Sequence, residues 1–252
     1  MPSWSPAQYL KFGEERTRPC RELSARVDLT APRHIIDLGC GPGNSTDVLA
    51  QRWPGAEITG LDNSPRMIET ARAERPGWRW VAEDITEWAA SHGDIFDLVF
   101  SNAALQWLPD HAGLLPRLIG RVASGGALAF QMPAHDSPAH DLMRRIASAR
   151  RLRVNEWHSH EPAFYYDTVA PWSSRVDVWT TEYQHVMPNA EGIVEWYRGT
   201  GLRPYLEALA TDAERSQFEA ELLAGFRVLY PERADGRVLF PFRRIFAVAY
   251  RD

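Results

Sequence analysis

Short apolar runs alternate with amphipathic stretches over the first two-thirds of the chain. Five apolar runs have the length and the bounding turn residues of buried strands, and they lie at residues 34–38, 57–62, 79–82, 96–101 and 126–131. Helical patterns lie between them, at residues 44–52 and 65–75 and in a stretch that ends near Arg121. This alternation is typical of a parallel sheet with helices on both faces, so the sequence predicts an α/β fold.

The two ends of the chain add further elements to this core. Helical stretches near residues 6–12 and 18–27 precede the first strand, and we expect them to form a lid (about 1–30) over its carboxyl end. Residues 150–174 are predicted to be irregular. The pattern then predicts a strand at 176–183, helices at 189–198 and 212–229, and a last strand at 244–250. The two helices predicted between the sixth and the last strand are more than a simple crossover connection needs, so we expect them to belong to a cap. The sequence thus predicts a single domain, 1–252, with cap elements at about 135–175 and 186–236.

Composition narrows the class of protein. The 252 residues are 44% hydrophobic, which is enough for a sizeable core, and no apolar run approaches the roughly 20 residues of a membrane span. The N-terminus lacks the pattern of a signal peptide, and Cys20 and Cys40 form no close pair. These features favour a cytoplasmic enzyme with no disulfide and no metal. The net charge of −5 argues against nucleic-acid binding, and Lys11 is the only lysine, so an arginine within a motif is weaker evidence than usual.

A glycine-rich turn at residues 37–43, Asp-Leu-Gly-Cys-Gly-Pro-Gly, follows the first strand. Gly39 and Gly41 allow a positive φ and a close approach of a ligand to the backbone. Asn44 stands where a dinucleotide fingerprint would have its third glycine, and Pro42 lacks the N–H that a pyrophosphate would use. Asp37 supplies a carboxylate at the strand end. The combination predicts a cofactor with cationic groups and no phosphate, as in S-adenosylmethionine (SAM).

Acidic residues end the next two strands. Asp62 closes the second strand at the spacing suited to the ribose hydroxyls, and the predicted cofactor set includes its neighbour Asn63. After the third strand, Asp84 can accept from the adenine amino group and Ile85 can pack on the ring. Each acid alone also fits a helix start or a solvated turn. On this sequence-based hypothesis, Asp62→Ala weakens SAM binding and leaves the unfolding of the ligand-free protein nearly unchanged.

These residues resemble the class I methyltransferase signature over about the first 135 positions, and further blocks resemble the trans-aconitate 2-methyltransferase family. The blocks lie at residues 9–12, 15–19, 41–46, 105–111, 131–133 and 200–206. The resemblance implies a Rossmann-like, doubly wound, mostly parallel sheet with an antiparallel last strand and a helical cap. It also implies methyl transfer from SAM to a carboxylate of trans-aconitate, giving a monomethyl ester and S-adenosylhomocysteine. The chain departs from the family at Ala134-His135 and at Phe242-Arg243-Arg244, so the acid accepted stays open.

A polycarboxylate substrate needs cations in its site, because buried charges must be paired. Arg203, placed by the sequence in a turn between Gly201 and Pro204, is the first candidate. The further candidates are Arg175, Arg198, Arg243 and Arg244. The alternative for Arg203 is an ion pair that caps a helix.

Other residues are expected near the cofactor and the reacting atoms. Gln106 and Trp107, just beyond the fourth strand, are predicted to face the methyl-transfer centre, and Trp107 has a core position as its alternative. Asn102 belongs to the predicted cofactor set. The residues at 101–104 do not form the Asn-Pro-Pro-Tyr motif that amine methyltransferases often carry at this place, which favours an oxygen or carboxylate acceptor. Arg18 is assigned to the donor's carboxylate, with a surface position as its alternative. A carboxylate is already ionised at neutral pH, so the reaction needs no general base.

Three other functions stay open at this point. The first is a SAM-dependent O-methyltransferase for another small acid or a hydroxyl compound. The second is a nicotinamide-dependent oxidoreductase, which Asn44 and the absence of a Tyr-x-x-x-Lys pair disfavour. The third is a SAM-binding sensor without catalysis. The partner expected is a small polycarboxylate, with neither nucleic acid nor a membrane, and the oligomeric state is left open.

Overall fold

The structure is a computed structural model that describes residues 12–91, 93–154 and 157–252. Its helices are α1 (Gly13–Arg26), α2 (Asn44–Arg52), α3 (Pro65–Glu74), α4 (Ile85–Ser91), α5 (His111–Ile119), α6 (Pro138–Ala149), α7 (Pro162–Val169), α8 (Ala190–Arg198), α9 (Arg203–Glu207) and α10 (Asp212–Leu229). Its strands are β1 (His34–Leu38), β2 (Glu57–Asp62), β3 (Arg79–Ala82), β4 (Phe96–Asn102), β5 (Val122–Pro133), β6 (Arg175–Met187) and β7 (Val238–Tyr250). Short 3-10 helices occupy Leu105–Trp107 and Ala170–Trp172.

The seven strands form one sheet in the order β3-β2-β1-β4-β5-β7-β6. Strands β1 to β5 pair in parallel, and β7 runs antiparallel to β5. The predicted fold class, a mostly parallel sheet with an antiparallel last strand, is therefore confirmed. The strand order reverses between β1 and β4, and open α/β sheets bind their ligands at the carboxyl ends of the strands at such a point.

The central strands are apolar along nearly their whole length because helices cover both faces of the sheet. Ile35, Ile36 and Leu38 of β1 are at most 1% exposed, and Leu98 and Val99 of β4 are fully buried. Complete burial of such a side chain stabilises the fold by roughly 1.5–3 kcal/mol. The rigid core holds the ends of β1, β2 and β4 in fixed positions, and these ends carry most of the predicted site residues.

The chain divides into two compact units. Among the described residues, one unit comprises 13–91, 93–133, 158–181 and 244–252, and the other comprises 12, 134–154, 157 and 182–243. The sheet core dominates the first unit, whereas the second has an aromatic interior that includes Trp196, Tyr197, Phe226 and Phe240. The lid and the cap stay predictions. The helix expected at residues 6–12 lies outside the described residues apart from Phe12. The next helix begins at Gly13, earlier than predicted.

Several expectations about local structure were wrong. Residues 150–174 are not irregular throughout, because α7 begins with Pro162 at its first turn and buries Tyr165 and Val169, which are four residues apart. Helices α4 and α6 were not predicted, and β5, β6 and β7 are longer than expected. Within the described ranges, no helix is both long enough and apolar enough to span a membrane.

Candidate functional site

The glycine turn between β1 and α2 has a left-handed backbone at three positions. Gly39, Gly41 and Gly43 have φ of +73°, +55° and +100°. A Cβ at Gly39 would overlap the Cβ of Ala104, whereas a Cβ at Gly41 would meet no atom within 4 Å. The amides of residues 39 and 40 both donate to the carbonyl of Leu61, at 2.7 and 3.0 Å. The turn is thus closely packed at Gly39 and open at Gly41, where a ligand can approach the backbone.

Asp37 lies buried beneath this turn. Its Oδ2 accepts from the hydroxyls of Ser45 and Thr46, at 2.6 and 2.7 Å, and ties the end of β1 to α2. Its Oδ1 is buried and has no hydrogen bond within the described part of the chain. Burial, with a smaller contribution from the charge of Asp62, raises the pKa of Asp37 to about 6, although the two hydroxyl donors act to lower it. A buried carboxylate with an unused acceptor favours a cationic ligand nearby.

Asp62, at the end of β2, is a structural partner of the same turn. Its Oδ2 accepts from the amide of Gly41 at 2.9 Å, and its Oδ1 accepts from the amide of Ser64 at 2.8 Å. Burial raises the pKa of Asp62. Each carboxylate oxygen can accept more than one hydrogen bond, so room remains for hydroxyl donors. The two backbone contacts lead us to expect that Asp62→Ala also destabilises the ligand-free protein, unlike the expectation from the sequence.

The other predicted cofactor residues near the turn have varied surroundings. Asn44 is half-buried at the start of α2, and Asn63 is exposed after β2. Asp84 accepts from the amides of Thr86 and Glu87, at 2.8 and 3.4 Å, and so caps α4. Ile85 is buried, and its Cδ1 lies 3.8 Å from the position of a Cβ at Gly39. The structure therefore places Ile85 against the glycine turn.

A hydrogen-bonded series of polar side chains lies at the end of β4. Asn102 Oδ1 accepts from Gln131 Nε2 at 2.6 Å, and Gln131 Oε1 accepts from Arg244 Nη1 at 3.0 Å. The next residue, Ala103, has a φ of 55°, a conformation that residues other than glycine rarely adopt. In the sequence, Gln131 stood out only as part of the family block at residues 131–133, and no functional role was predicted for it. A glutamine that ends the apolar run of β5 was the signal available.

The 3-10 helix with Gln106 and Trp107 follows directly. Gln106 is 3% exposed, its Nε2 donates to the carbonyl of Ala103 at 2.7 Å, and its Oε1 is buried with no hydrogen bond in the described ranges. His158 N donates to the Gln106 carbonyl at 2.7 Å, and His111 Nε2 lies 2.9 Å from the carbonyl of Leu105. Trp107 is half-buried. Hydrogen bonds to the carbonyls of Leu105 and Gln106, together with the contact to Ala103, thus hold this helix in place.

The arginine candidates in the sheet unit differ in burial. Arg18 is exposed and pairs with Glu22 at 2.8 Å, one helical turn away, while Arg16 of the same helix is buried. Arg175 is exposed, with its Nη2 3.1 Å from Asp28 Oδ2 and its guanidinium over the ring of Tyr250. Arg244, in contrast, is only 4% exposed. Arg18 and Arg175 thus form ion pairs at the surface, whereas Arg16 and Arg244 are buried.

Arg203 lies in the other unit, together with Arg198 and Arg243. It is not in a turn as predicted: it begins α9, because Pro204 suits the first turn of a helix. Its side chain is 15% exposed and lies 3.3 Å from Glu207. Arg198 is exposed and makes two 2.8 Å bonds to Glu219, and Arg243 pairs with Asp136. Arg203 is the most buried of these three side chains. No group of three or more potential metal ligands was found among the described residues.

Comparison with known proteins agrees with this geometry. A family model of the methyltransferase domain matches residues 35–126. The trans-aconitate 2-methyltransferase of Azoarcus sp. (strain BH72) is 48% identical over 256 residues, which cover 100% of both chains. The chain belongs to the trans-aconitate 2-methyltransferase family. The family predicted from the sequence is thereby confirmed.

Other comparisons extend this result. A family member from Methylobacterium radiotolerans is also 48% identical, over 99% of this chain and 98% of its own. Among solved structures, phosphoethanolamine N-methyltransferase 2 of Haemonchus contortus, in complex with S-adenosyl-L-methionine, matches with a TM-score of 0.57 and 16% identity. That match covers 93% of this chain and 53% of the other, and at this identity it supports the fold alone.

Proposed function

We propose that this protein transfers a methyl group from SAM to a carboxylate of trans-aconitate, giving a monomethyl ester and S-adenosylhomocysteine. The observation that carries the proposal is the 48% identity over the full chain to a relative of that name. The site supports it independently, because the glycine turn and the acids around it suit a cationic cofactor. The substrate is a small molecule.

The residues around the turn fit SAM. Gly41 leaves open space beside the backbone, and Asp37 keeps a buried carboxylate oxygen available close by. SAM supplies a methyl group activated by its sulfonium, and its amino group is the cation that Asp37 would favour. Asp62 would bind the ribose hydroxyls through the lone pairs that its two backbone contacts leave. The remaining residues that we assign to the cofactor are Gly39, Asn44, Asn63, Asp84, Ile85 and Arg18.

The chain's own contribution to catalysis is orientation and exclusion of water. A carboxylate acceptor has an ordinary pKa near 4 and is ionised at neutral pH, so no side chain has to remove a proton. Orientation of the reacting oxygen can supply several kcal/mol, up to about 7–11 in ideal cases. Gln106 and Trp107 are assigned to this task because hydrogen bonds from His158 and His111 to main-chain carbonyls hold their 3-10 helix in place. A firmly held wall next to the reacting atoms keeps solvent away from the carboxylate.

Cations must neutralise the remaining carboxylates of the substrate. Arg203 is the first candidate, because its guanidinium is largely buried and the fork can bind a carboxylate bidentately. Loss of hydrogen bonds to a charged group costs about 1.5–3 kcal/mol. Arg203→Ala should therefore lower kcat/KM by about ten- to a hundredfold, since about 1.4 kcal/mol is a factor of ten. Arg203→Lys should recover part of that loss.

The decisive experiment incubates the protein with SAM and a panel of acids and identifies the products by mass spectrometry. We expect a monomethyl ester of trans-aconitate and much less product from dicarboxylates and monocarboxylates. Kinetics of Arg203→Ala and Arg203→Lys follow, with the exposed Arg227→Ala as the matched control in the same unit. Methylation of another acid, and none of trans-aconitate, would refute the substrate and keep the methyltransferase. Full efficiency of Arg203→Ala would remove Arg203 from the clamp.

A further inference from the structure

A buried series of three polar side chains crosses three adjacent strands of the sheet. Arg244 of β7 donates to Gln131 of β5, and Gln131 donates to Asn102 of β4. The strand register brings them together, because Asn102 pairs with Gln131 and Arg244 pairs with Pro133, two residues beyond Gln131. Gln131 is fully buried and Arg244 is 4% exposed, while Asn102 is half-buried. The series therefore runs from the interior of the sheet to a side chain that a ligand can reach.

The chemistry of the three groups fixes the orientation of both amides. A guanidinium offers only donors, so Gln131 must present its oxygen to Arg244. Gln131 then presents its NH₂ group to Asn102, which must turn its own oxygen toward Gln131. The Nδ2 group of Asn102 is left over, and it makes no hydrogen bond to any described residue. The end of β4 consequently offers the N–H donor of Asn102. Arg244 determines this orientation indirectly, because it orients Gln131 and Gln131 orients Asn102.

We infer that Asn102 donates this N–H to a carboxylate of the methyl acceptor, and that Gln131 and Arg244 are positioning residues that hold it in that orientation. The inference rests on the proposed function and names a substrate contact within the same site. Asn102 was assigned above to the cofactor. Its place in the sheet favours the acceptor instead: Asp62, which is assigned to the cofactor, ends β2, and Asn102 ends β4 on the opposite side of β1. A donor suits the anionic substrate.

The backbone beyond Asn102 supports a fixed contact point. Ala103 has a φ of 55°, and its amide donates to the carbonyl of Gln131 at 2.9 Å. The Ala103 carbonyl accepts from Gln106 Nε2 at 2.7 Å. Gln131 thus holds residue 102 by its side chain and residue 103 by its main chain. Neighbouring groups therefore determine both the position and the polarity of the Asn102 amide.

Gln131→Glu tests the polarity directly, because the two side chains have nearly the same size. The new carboxylate accepts from Arg244 and can only accept from Asn102, so Asn102 must rotate and present Oδ1 to the substrate. We expect KM for trans-aconitate to rise at least about tenfold, which corresponds to the loss of a hydrogen bond to a charged group. The affinity for SAM, measured by calorimetry, should stay unchanged. The exposed Gln184→Glu controls for the added charge.

Three further variants separate this role from a structural one. Asn102→Ala should raise KM to a similar extent, and adding Gln131→Glu to it should raise KM no further, because the contact is already gone. Arg244→Lys keeps a donor-only group and should lose much less than Arg244→Gln, whose amide can adopt either orientation. Melting temperatures identify any variant that is merely unstable, and the Arg244 pair keeps the test valid if Gln131→Glu does not fold.

Several outcomes would overturn the inference. A wild-type KM in Gln131→Glu or in Asn102→Ala would remove Asn102 from substrate binding. Additive effects in the double variant would mean that Gln131 acts elsewhere. A weakened affinity for SAM with an unchanged KM would assign the contact to the donor. If the wild-type protein methylates another acid instead of trans-aconitate, the proposed function fails, and the same comparison is made with that acid.

Discussion

Asp37→Asn is the most informative single substitution for the cofactor site. The Asp37 carboxyl is fully buried, and burial raises its pKa from the ordinary 3.8 to about 6. Asparagine has the same shape and keeps an oxygen that can accept from Ser45 and Thr46. The substitution therefore removes the buried charge and preserves the hydroxyl contacts, so the effect of ionisation can be measured by itself.

The sign of the effect follows from proton binding. Between pH 4 and 6 the folded protein holds a proton on Asp37 that the unfolded chain has already released, so stability falls as pH rises through this window. A pKa raised by about 2 units corresponds to about 3 kcal/mol. The difference in unfolding free energy between Asp37→Asn and the wild type should thus increase by about 3 kcal/mol from pH 4 to pH 7. Above pH 7 it should be constant.

Urea denaturation of the ligand-free protein at pH values from 4 to 8 measures this difference. Glu232→Gln, at an exposed carboxyl, is the control for the loss of one charge. Parallel pH curves for Asp37→Asn and the wild type would refute the argument that the carboxyl titrates near pH 6. Calorimetry gives the second readout: SAM affinity of the wild type should fall below pH 6, up to tenfold per pH unit, and Asp37→Asn should bind weakly at every pH.

Further predictions concern the turn and an imidazole in the other unit. Gly39→Ala should prevent stable folding, because its Cβ would overlap Ala104. Gly41→Ala should fold, at a cost of about 1–2 kcal/mol for the left-handed backbone, but should bind SAM more weakly. Circular dichroism reports the folding of each variant, and calorimetry reports its affinity for SAM. Asp62→Ala should lower the unfolding free energy by about 2–4 kcal/mol through its two backbone contacts, as well as weaken SAM binding; unchanged unfolding would contradict this role. Burial lowers the pKa of His140 to about 3, so the wild type should lose up to about 5 kcal/mol of stability as pH falls from 6.5 toward 3, and His140→Phe should flatten that curve in urea titrations.

The central strands and the glycine turn were predictable because their signals are local. A run of apolar residues followed by glycines contains the whole pattern of β1 and its turn. Helix α4 was missed because Asp84 and Ile85 were interpreted mainly as ligand-binding groups, with a solvated turn as the alternative, and no helical pattern was recognised after them. In the structure Asp84 accepts from two amides of α4, so the same acid is also the start signal of a helix.

Contacts between residues far apart in the chain could not be predicted from the sequence. Arg244 and Gln131 are 113 residues apart and meet only through the antiparallel register of β5 and β7. Period-2 patterns give the faces of a strand but not its partner or its register. Arg203 shows a related difficulty, because glycine and proline on either side favour a turn, yet Pro204 also suits a first helical turn.

Arg75 stabilises the glycine turn through contacts with the turn and with α2. Its guanidinium pairs with Asp47 of α2 and donates to the carbonyl of Pro42 at 2.9 Å, and its own carbonyl accepts from the indole of Trp80 at 3.0 Å. The shape of the turn is therefore established during folding, and a ligand that binds there loses little affinity to ordering the chain. We expect the selective constraint on the site to extend to Arg75, a residue assigned no contact with cofactor or substrate. A relative that had lost it could retain every glycine of the turn and still bind more slowly and more weakly.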